Sequence, residues 1–249
     1  SSPPSPPPPS VCALTLQSTR ATLTAVELAP DASAFVGGRS DGSLHFCRFS
    51  WAEVARSRRA SSMTMRRASS DDAGRGEALL SPHSLVRPAH SGPIFGVAFS
   101  ADSRLVLSGA QDGAVRMWSW ASAAPLASYR NHGYPVWDVA FASHAGQFLS
   151  ACYDGALRLF HTERREPLRV MSGHLSDVCA ARFHPNDAYA LSASQDGTLR
   201  LWDVCSAECV RLLRGHTAAA RDVAIHPDGC HAASAGEDGV VLLWHLGSR

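Results

Sequence analysis

Residues 173–203 read GHLSDVCAARFHPNDAYALSASQDGTLRLWD, and this stretch recurs along the chain. Its turn, Asp196-Gly197, has counterparts at Asp112-Gly113, Asp154-Gly155 and Asp238-Gly239, each 42 residues from the next. His90, His132, His174 and His216 keep the same step, as do Ser108, Ser150, Ser192 and Ser234. Trp118, Phe160, Trp202 and Trp244 keep it too. Four residue types holding one period mark a repeat architecture, which must be recognised before any single element is read.

A weaker copy precedes these four. Asp41-Gly42 lies 71 residues before Asp112, one period plus a surplus of 29. In this copy Phe46-Cys47 falls where tryptophan is expected, Gly37 replaces the serine, and Thr19 replaces the histidine. The surplus falls in an Arg-, Ser- and Ala-rich stretch without apolar alternation. Residues 50–82 therefore read as a disordered, solvated insertion after the first unit.

Within a unit the pattern is that of strands. After each turn, Val115 and Met117, Leu157 and Leu159, and Leu199 and Leu201 alternate with Arg116, Arg158 and Arg200. A period of two predicts one buried face, with the arginines facing outward. Ile94–Phe99, Leu105–Ser108 and Val136–Phe141 are short runs rich in β-branched, aromatic or aliphatic residues, bounded by turn residues. About four short strands per unit of this length make one blade of a β-propeller. The expected fold is thus all-β: five visible blades over residues 11–249, after a proline-rich linker at 1–10.

Composition narrows the chemistry. The chain has 249 residues, 45% apolar, with 23 basic and 22 acidic side chains. That apolar share can build a core, and a net charge of +1 argues against binding nucleic acid through bulk electrostatics. Every basic residue is arginine, which excludes Schiff-base and phosphate-loop lysines. The longest purely apolar run, Val240–Trp244, cannot cross a bilayer, and no signal-like segment opens the chain. The seven cysteines form no C-x-x-C, and Cys205 and Cys209 lack a second ligand pair, so buried thiols in a reducing compartment are expected rather than a zinc site.

Asp, His and Ser together invite a hydrolase reading, but a catalytic triad occurs once and this set occurs four times. A buried hydrogen-bond relay explains the repetition better: Asp accepts from the His ring, His meets the Ser hydroxyl, and Ser meets the indole N–H. The relay comprises His90, Ser108, Asp112 and Trp118; His132, Ser150 and Asp154; His174, Ser192, Asp196 and Trp202; and His216, Ser234, Asp238 and Trp244. Phe160 has no N–H, so the third unit's relay should be open at that end. No catalytic residue, cofactor, metal or small-molecule substrate is expected.

The spaced G-H, the serine of the second strand and Leu201-Trp202-Asp203 resemble the WD-repeat family. That resemblance implies a non-enzymatic scaffold whose propeller faces bind proteins. A narrower set of stretches includes His90-Ser91-Gly92-Pro93, Pro135-Val136-Trp137-Asp138 and Arg182-Phe183-His184-Pro185-Asn186. These resemble the WD-repeat domains of the fifth TATA-binding-protein-associated factor of TFIID and of its paralogue in SAGA-type coactivators. The resemblance implies a nuclear protein of RNA polymerase II transcription initiation that docks histone-fold subunits. Members commonly carry seven blades, so the five copies here are expected to form an incomplete ring. Val11–Gln17 is a candidate outer strand for closing it.

In such propellers the residues before each turn aspartate and those opening each first strand face the top. Here they are Gln111, Tyr153, Gln195 and Glu237, and Phe95, Trp137, Cys179 and Arg221. Aromatic and arginine anchors favour Trp137, Tyr153 and Arg221 as partner-binding residues, the alternative being that Trp137 and Phe95 pack between blades. Arg58-Arg59-Ala60-Ser61 and Arg66-Arg67-Ala68-Ser69 match the R-R-x-S pattern of basophilic kinases, making Ser61 and Ser69 candidate phosphorylation sites unless the loop is merely solvated. A competing function is a ubiquitin-ligase substrate receptor. The W-D-x-R typical of those receptors is absent, since Val204-Cys205 follows Trp202-Asp203.

Overall fold

The computed structural model describes residues 21–48, 84–144 and 146–247. Thr19, Ser61, Ser69, the candidate strand Val11–Gln17 and the whole insertion lie outside the described residues. Among those described there are strands and turns but no α-helix.

Five antiparallel sheets follow one another along the chain. Blade 1 pairs β1 (Leu23–Leu28), β2 (Ala34–Arg39), β3 (Ser43–Arg48) and β4 (Ser84–Pro88) in order. Blade 2 contains β5 (Ile94–Phe99), β6 (Leu105–Ala110), β7 (Val115–Ser119) and β8 (Pro125–Tyr129). Blade 3 contains β9 (Val136–Phe141), β10 (Gln147–Cys152), β11 (Ala156–His161) and β12 (Arg169–Ser172). Blade 4 is built from β13 (Val178–Phe183), β14 (Tyr189–Ser194), β15 (Thr198–Asp203) and β16 (Cys209–Arg214). Among the described residues blade 5 has three strands, β17 (Ala220–Ile225), β18 (His231–Gly236) and β19 (Val241–His245).

The Asp-Gly turns join the second and third strands. Gly197 sits at φ 77°, where a side chain would be strained, and the equivalent turn glycine Gly42 leaves a Cβ only 2.3 Å from the His90 carbonyl oxygen. Both the turn and its close approach to the next loop therefore require glycine.

The core lies between blades rather than within them. Val36, Leu44 and Phe46 of blade 1 meet Ile94, Val97 and Phe99 of blade 2. Val115 and Met117 then meet Val136 and Val139, Leu157 and Leu159 meet Val178 and Ala181, and Leu199 and Leu201 meet Ala220 and Val223. This is the physical content of the alternation after each turn: one face of the third strand seals against the next blade. The inner strands β1, β5, β9, β13 and β17 pack side by side in that order, with no comparable packing between β17 and β1. The arc ends in exposed apolar faces, with Val26 and Leu28 of β1 at 53% and 59% exposure and Leu243 of β19 at 84%. The molecule is an incomplete β-propeller.

Two expectations need correction. Arg116, Arg158 and Arg200 do not project freely outward. Each is partly buried, with the Arg116 guanidinium on the Ala89 carbonyl and Arg200 over the Trp202 ring at 5.8 Å. The outward side of the third strand is roofed by the loop that carries the histidine, so a long cationic side chain lies along it. The thiols are also not all buried: Cys47 and Cys152 are, but Cys205, Cys209 and Cys230 lie in exposed turns or at a strand edge.

Candidate functional site

In blades 2, 4 and 5 the repeated polar residues form closed chains. His90 Nδ1 lies 2.9 Å from Asp112, and its Nε2 lies 2.8 Å from Ser108 Oγ, which accepts the Trp118 indole N–H at 3.0 Å. The corresponding distances are 3.0, 2.7 and 2.8 Å for His174, Ser192 and Trp202, and 3.0, 2.7 and 2.9 Å for His216, Ser234 and Trp244. Each aspartate also accepts a backbone N–H from the histidine loop: Ser91, Leu175 or Thr217. The carboxylate thus pins one blade's turn to the loop entering that blade. Burial pushes the Asp196 carboxyl up, but the Thr198 hydroxyl, two backbone N–H groups and His174 pull it down to about 2.

Blade 3 departs from this pattern, and the expected Asp154–His132 contact is not made. Arg158 stands between the two, placing Nη2 at 2.6 Å from Asp154 and Nη1 at 3.0 Å from His132 Nδ1. A guanidinium only donates, so His132 Nδ1 must be the bare acceptor and its proton sits on Nε2. That N–H donates to Ser150 Oγ at 2.8 Å and occupies the serine that lacks an indole partner. The relay thus ends open where Phe160 replaces tryptophan, with His132 the one hydrogen-bond partner of Ser150 Oγ among the described residues, and its polarity is reversed. Phe160 stacks on Phe148 at 5.1 Å, and the Tyr129 ring lies edge-on at 5.5 Å. Burial first, then Arg158, holds the His132 imidazole down at about 4. We expect ¹⁵N imidazole spectra to show the Nε2–H tautomer for His132 and the Nδ1–H tautomer for His90, His174 and His216. Nδ1–H at His132 would rule out the reversal.

The candidate partner-binding residues gather at the end of the arc that carries these turns. Backbone hydrogen bonds tie Gln111 to Pro93, Tyr153 to Pro135, Gln195 to Asp177 and Glu237 to Ala219, bringing the turns beside the starts of the inner strands. Gln111, Tyr153, Gln195, Glu237 and Arg221 are exposed, and Phe95, Trp137 and Cys179 are half-buried. Trp137 packs on Phe95 of the preceding blade at 4.6 Å, and its indole N–H is buried without an acceptor among the described residues. Trp137 thus bridges blades while keeping part of its ring accessible. Arg221 is held by Glu237, with Nε at 2.8 Å from Oε1, and leans on Cys179 Sγ at 3.6 Å.

Two residues that the sequence did not single out dominate this face. Tyr134 stacks on Tyr153 at 5.7 Å with both rings about half exposed, and Leu175 is 90% exposed. Both lie in histidine loops, one or two positions after the repeated histidine, and that placement was the available signal. A cleft of about 420 Å³ between blades 3 and 4, walled in part by Leu159, Leu168, Arg169 and Cys205, contains none of the candidate residues. The relay histidines and aspartates are committed to one another, or in blade 3 to Arg158, and the arrangement as a whole is suited to presenting a rigid face.

The family model described as "WD domain, G-beta repeat" matches residues 82–119, 123–161, 165–203 and 207–245, more than half of the chain. It leaves β1, β2 and β3 of the degenerate first blade unmatched, although with β4 they form a four-stranded sheet. The chain is 30% identical over 126 residues to "Transcription initiation factor TFIID subunit 5" of Encephalitozoon cuniculi. It is 37% identical over 121 residues to "SAGA complex/transcription factor TFIID complex subunit Taf5" of Schizosaccharomyces pombe. These alignments cover 51% and 49% of this chain, but only 22% and 16% of the relatives' lengths. By its repeats and by its blades, the chain belongs to the WD domain, G-beta repeat family.

Proposed function

We propose that the chain is a protein-interaction scaffold in a nuclear transcription-initiation assembly of TFIID or SAGA type, where its turn-bearing face docks a histone-fold subunit. The similarity to TFIID subunit 5 and to the Taf5 subunit supports the assembly. The carrying observation for the face is the stacked Tyr134–Tyr153 pair, exposed beside Trp137 and Leu175 on adjoining blades. Tyrosine and tryptophan on a rigid rim bury much area at little entropic cost, the usual makeup of interface hot spots. Arg221 and Glu237 neutralise each other and serve at the rim, with Gln111 and Gln195 as polar contacts. No catalytic step is required of any residue.

The test is affinity purification of the tagged chain from nuclear extract, with quantitative mass spectrometry of histone-fold TFIID and SAGA-type subunits. Tyr134→Ala with Tyr153→Ala should reduce their recovery about tenfold or more while leaving the melting midpoint unchanged. A folded chain that recovers none of these subunits, or recovers ubiquitin-ligase components instead, overturns the proposal.

A further inference from the structure

β1 enters its blade from the turn-bearing face. The Ser40 N–H donates to the Thr22 carbonyl at 3.0 Å, as Gln111 does to Pro93 and Tyr153 to Pro135 in the next two blades. The segment leading into Leu23 therefore arrives beside the Asp41-Gly42 turn, at the same end of the arc as Tyr134, Tyr153 and Trp137. Residues 1–10 lie outside the described residues and consist of serine and six prolines, Pro3, Pro4 and Pro6–Pro9. Residues 10–21 join that run to β1, and a segment of 12 residues can span up to about 40 Å. Blade 3 is well within that reach. β1 packs on β5 and β5 on β9, and packed sheets lie about 10 Å apart.

Blades 2 and 3 offer a run of aromatic rings there. The Tyr134 and Tyr153 rings lie at 27° to each other with centroids 5.7 Å apart, and each is about half exposed. Half-buried Trp137 and Phe95, 4.6 Å apart, continue the run toward blade 2. The charges beside it are already paired, Asp154 with Arg158 at 2.6 Å and Asp112 with the His90 ring at 2.9 Å. What suits this run is an uncharged apolar segment whose backbone carbonyls can accept from tyrosine hydroxyls and from the exposed Gln111 amide.

A proline run has that chemistry. Its fixed φ favours an extended left-handed helix without internal hydrogen bonds, so its carbonyls stay available and little entropy is lost on docking. Proline rings stack on aromatic faces, the usual mode by which proline-rich segments are recognised in aromatic-lined grooves. In that form seven residues extend about 22 Å, enough to cross two blades. Serine and proline side chains bring no charge to a face whose charges are paired.

We infer that Pro3–Pro9 docks on the Tyr134–Tyr153–Trp137 face of its own molecule as a tethered cover. The inference rests on the same face as the proposed function, which a partner reaches once the tail is displaced. Its test involves no partner, so either reading can fail without the other.

The probe is a fluorescein-labelled peptide of residues 1–10, followed by anisotropy. It is titrated with the full chain and with a full-chain variant carrying Pro3→Ala, Pro4→Ala, Pro6→Ala, Pro7→Ala, Pro8→Ala and Pro9→Ala. The variant should bind the peptide at least about tenfold more tightly, because tethering gives the native tail an effective concentration in the mM range. Adding Tyr134→Ala and Tyr153→Ala to the variant should abolish binding while leaving the melting midpoint unchanged. Equal binding by the full chain and the proline variant, no binding by either, or binding that survives loss of both tyrosines overturns the inference. Dimers of the full chain in light scattering that vanish in the proline variant would assign the tail to a second copy and overturn docking within one molecule.

Discussion

Trp202→Ala is expected to destabilise the protein by about 3–5 kcal/mol, the range for removing a large aromatic from a packed core. Trp202 is 1% exposed and packs among Leu157, Leu159, Met171 and Val178, which belong to the seal between blades 3 and 4. Its indole N–H also donates to Ser192 at 2.8 Å, so alanine both opens a cavity and removes a buried donor from the relay. Trp202→Phe keeps most of the volume and should cost about 1–2 kcal/mol, the net worth of a buried hydrogen bond plus a small void. The native Phe160 shows how a blade accommodates that residue: the polar chain reverses around Arg158 and the ring gains an aromatic stack. Blade 4 has no such stack awaiting a phenylalanine. Urea melts of the two variants would decide the matter, and an alanine variant within about 1 kcal/mol of wild type would remove Trp202 from the core account.

Acid should weaken the fold through His132. Its imidazole is held at about 4 in the folded protein, by burial first and then by Arg158, against an unfolded value of 6.5. Because the unfolded chain binds the proton more readily, stability falls as the pH drops below about 6.5 and levels off below about 4. The loss attributable to this one residue by pH 4 is about 3 kcal/mol. His90 and His174, also lowered by burial, act in the same direction. The aspartates work in a lower window. Asp112, Asp154 and Asp196 are all held below the usual carboxylate range, so what they contribute is present above about 3.8 and lost beneath it. Stability measured from pH 7 to pH 4 for wild type and for His132→Gln isolates the share of residue 132. Parallel curves for the two proteins would show that His132 titrates normally, and the Arg158 bridge would then have to be abandoned.

The architecture was legible in sequence because blades repeat. Asp-Gly turns, histidines, serines and tryptophans in one phase placed the strands and named the relay, and Phe160 marked the blade where the relay had to change. How it changed was not legible. Arg116, Arg158 and Arg200 are indistinguishable in a linear reading, yet Arg116 reaches a backbone carbonyl, Arg200 lies over an indole, and only Arg158 separates an aspartate from its histidine. The difference lies in the loop entering each blade. All four aspartates accept the amide two residues on, but Asp112, Asp196 and Asp238 each also hold a loop amide, where Asp154 holds the Arg158 guanidinium instead.

By itself, then, the sequence determined the period, the strands and the identity of the buried polar residues. These follow from local alternation and turn chemistry, which operate over a few residues. Tertiary structure alone decided which side chains meet: Trp137 on Phe95 and Asp138 on Arg182 across blades, and Tyr134 on Tyr153 between the loop entering blade 3 and its turn. Such contacts depend on where two backbones approach and on which rotamers the intervening loop leaves open, and a repeat unit specifies neither. The same reason explains why Asp222, chemically identical to Asp138 and in the same register, has different partners: it holds the Val223 amide and faces Arg182 at 3.8 Å, with no described blade on its far side.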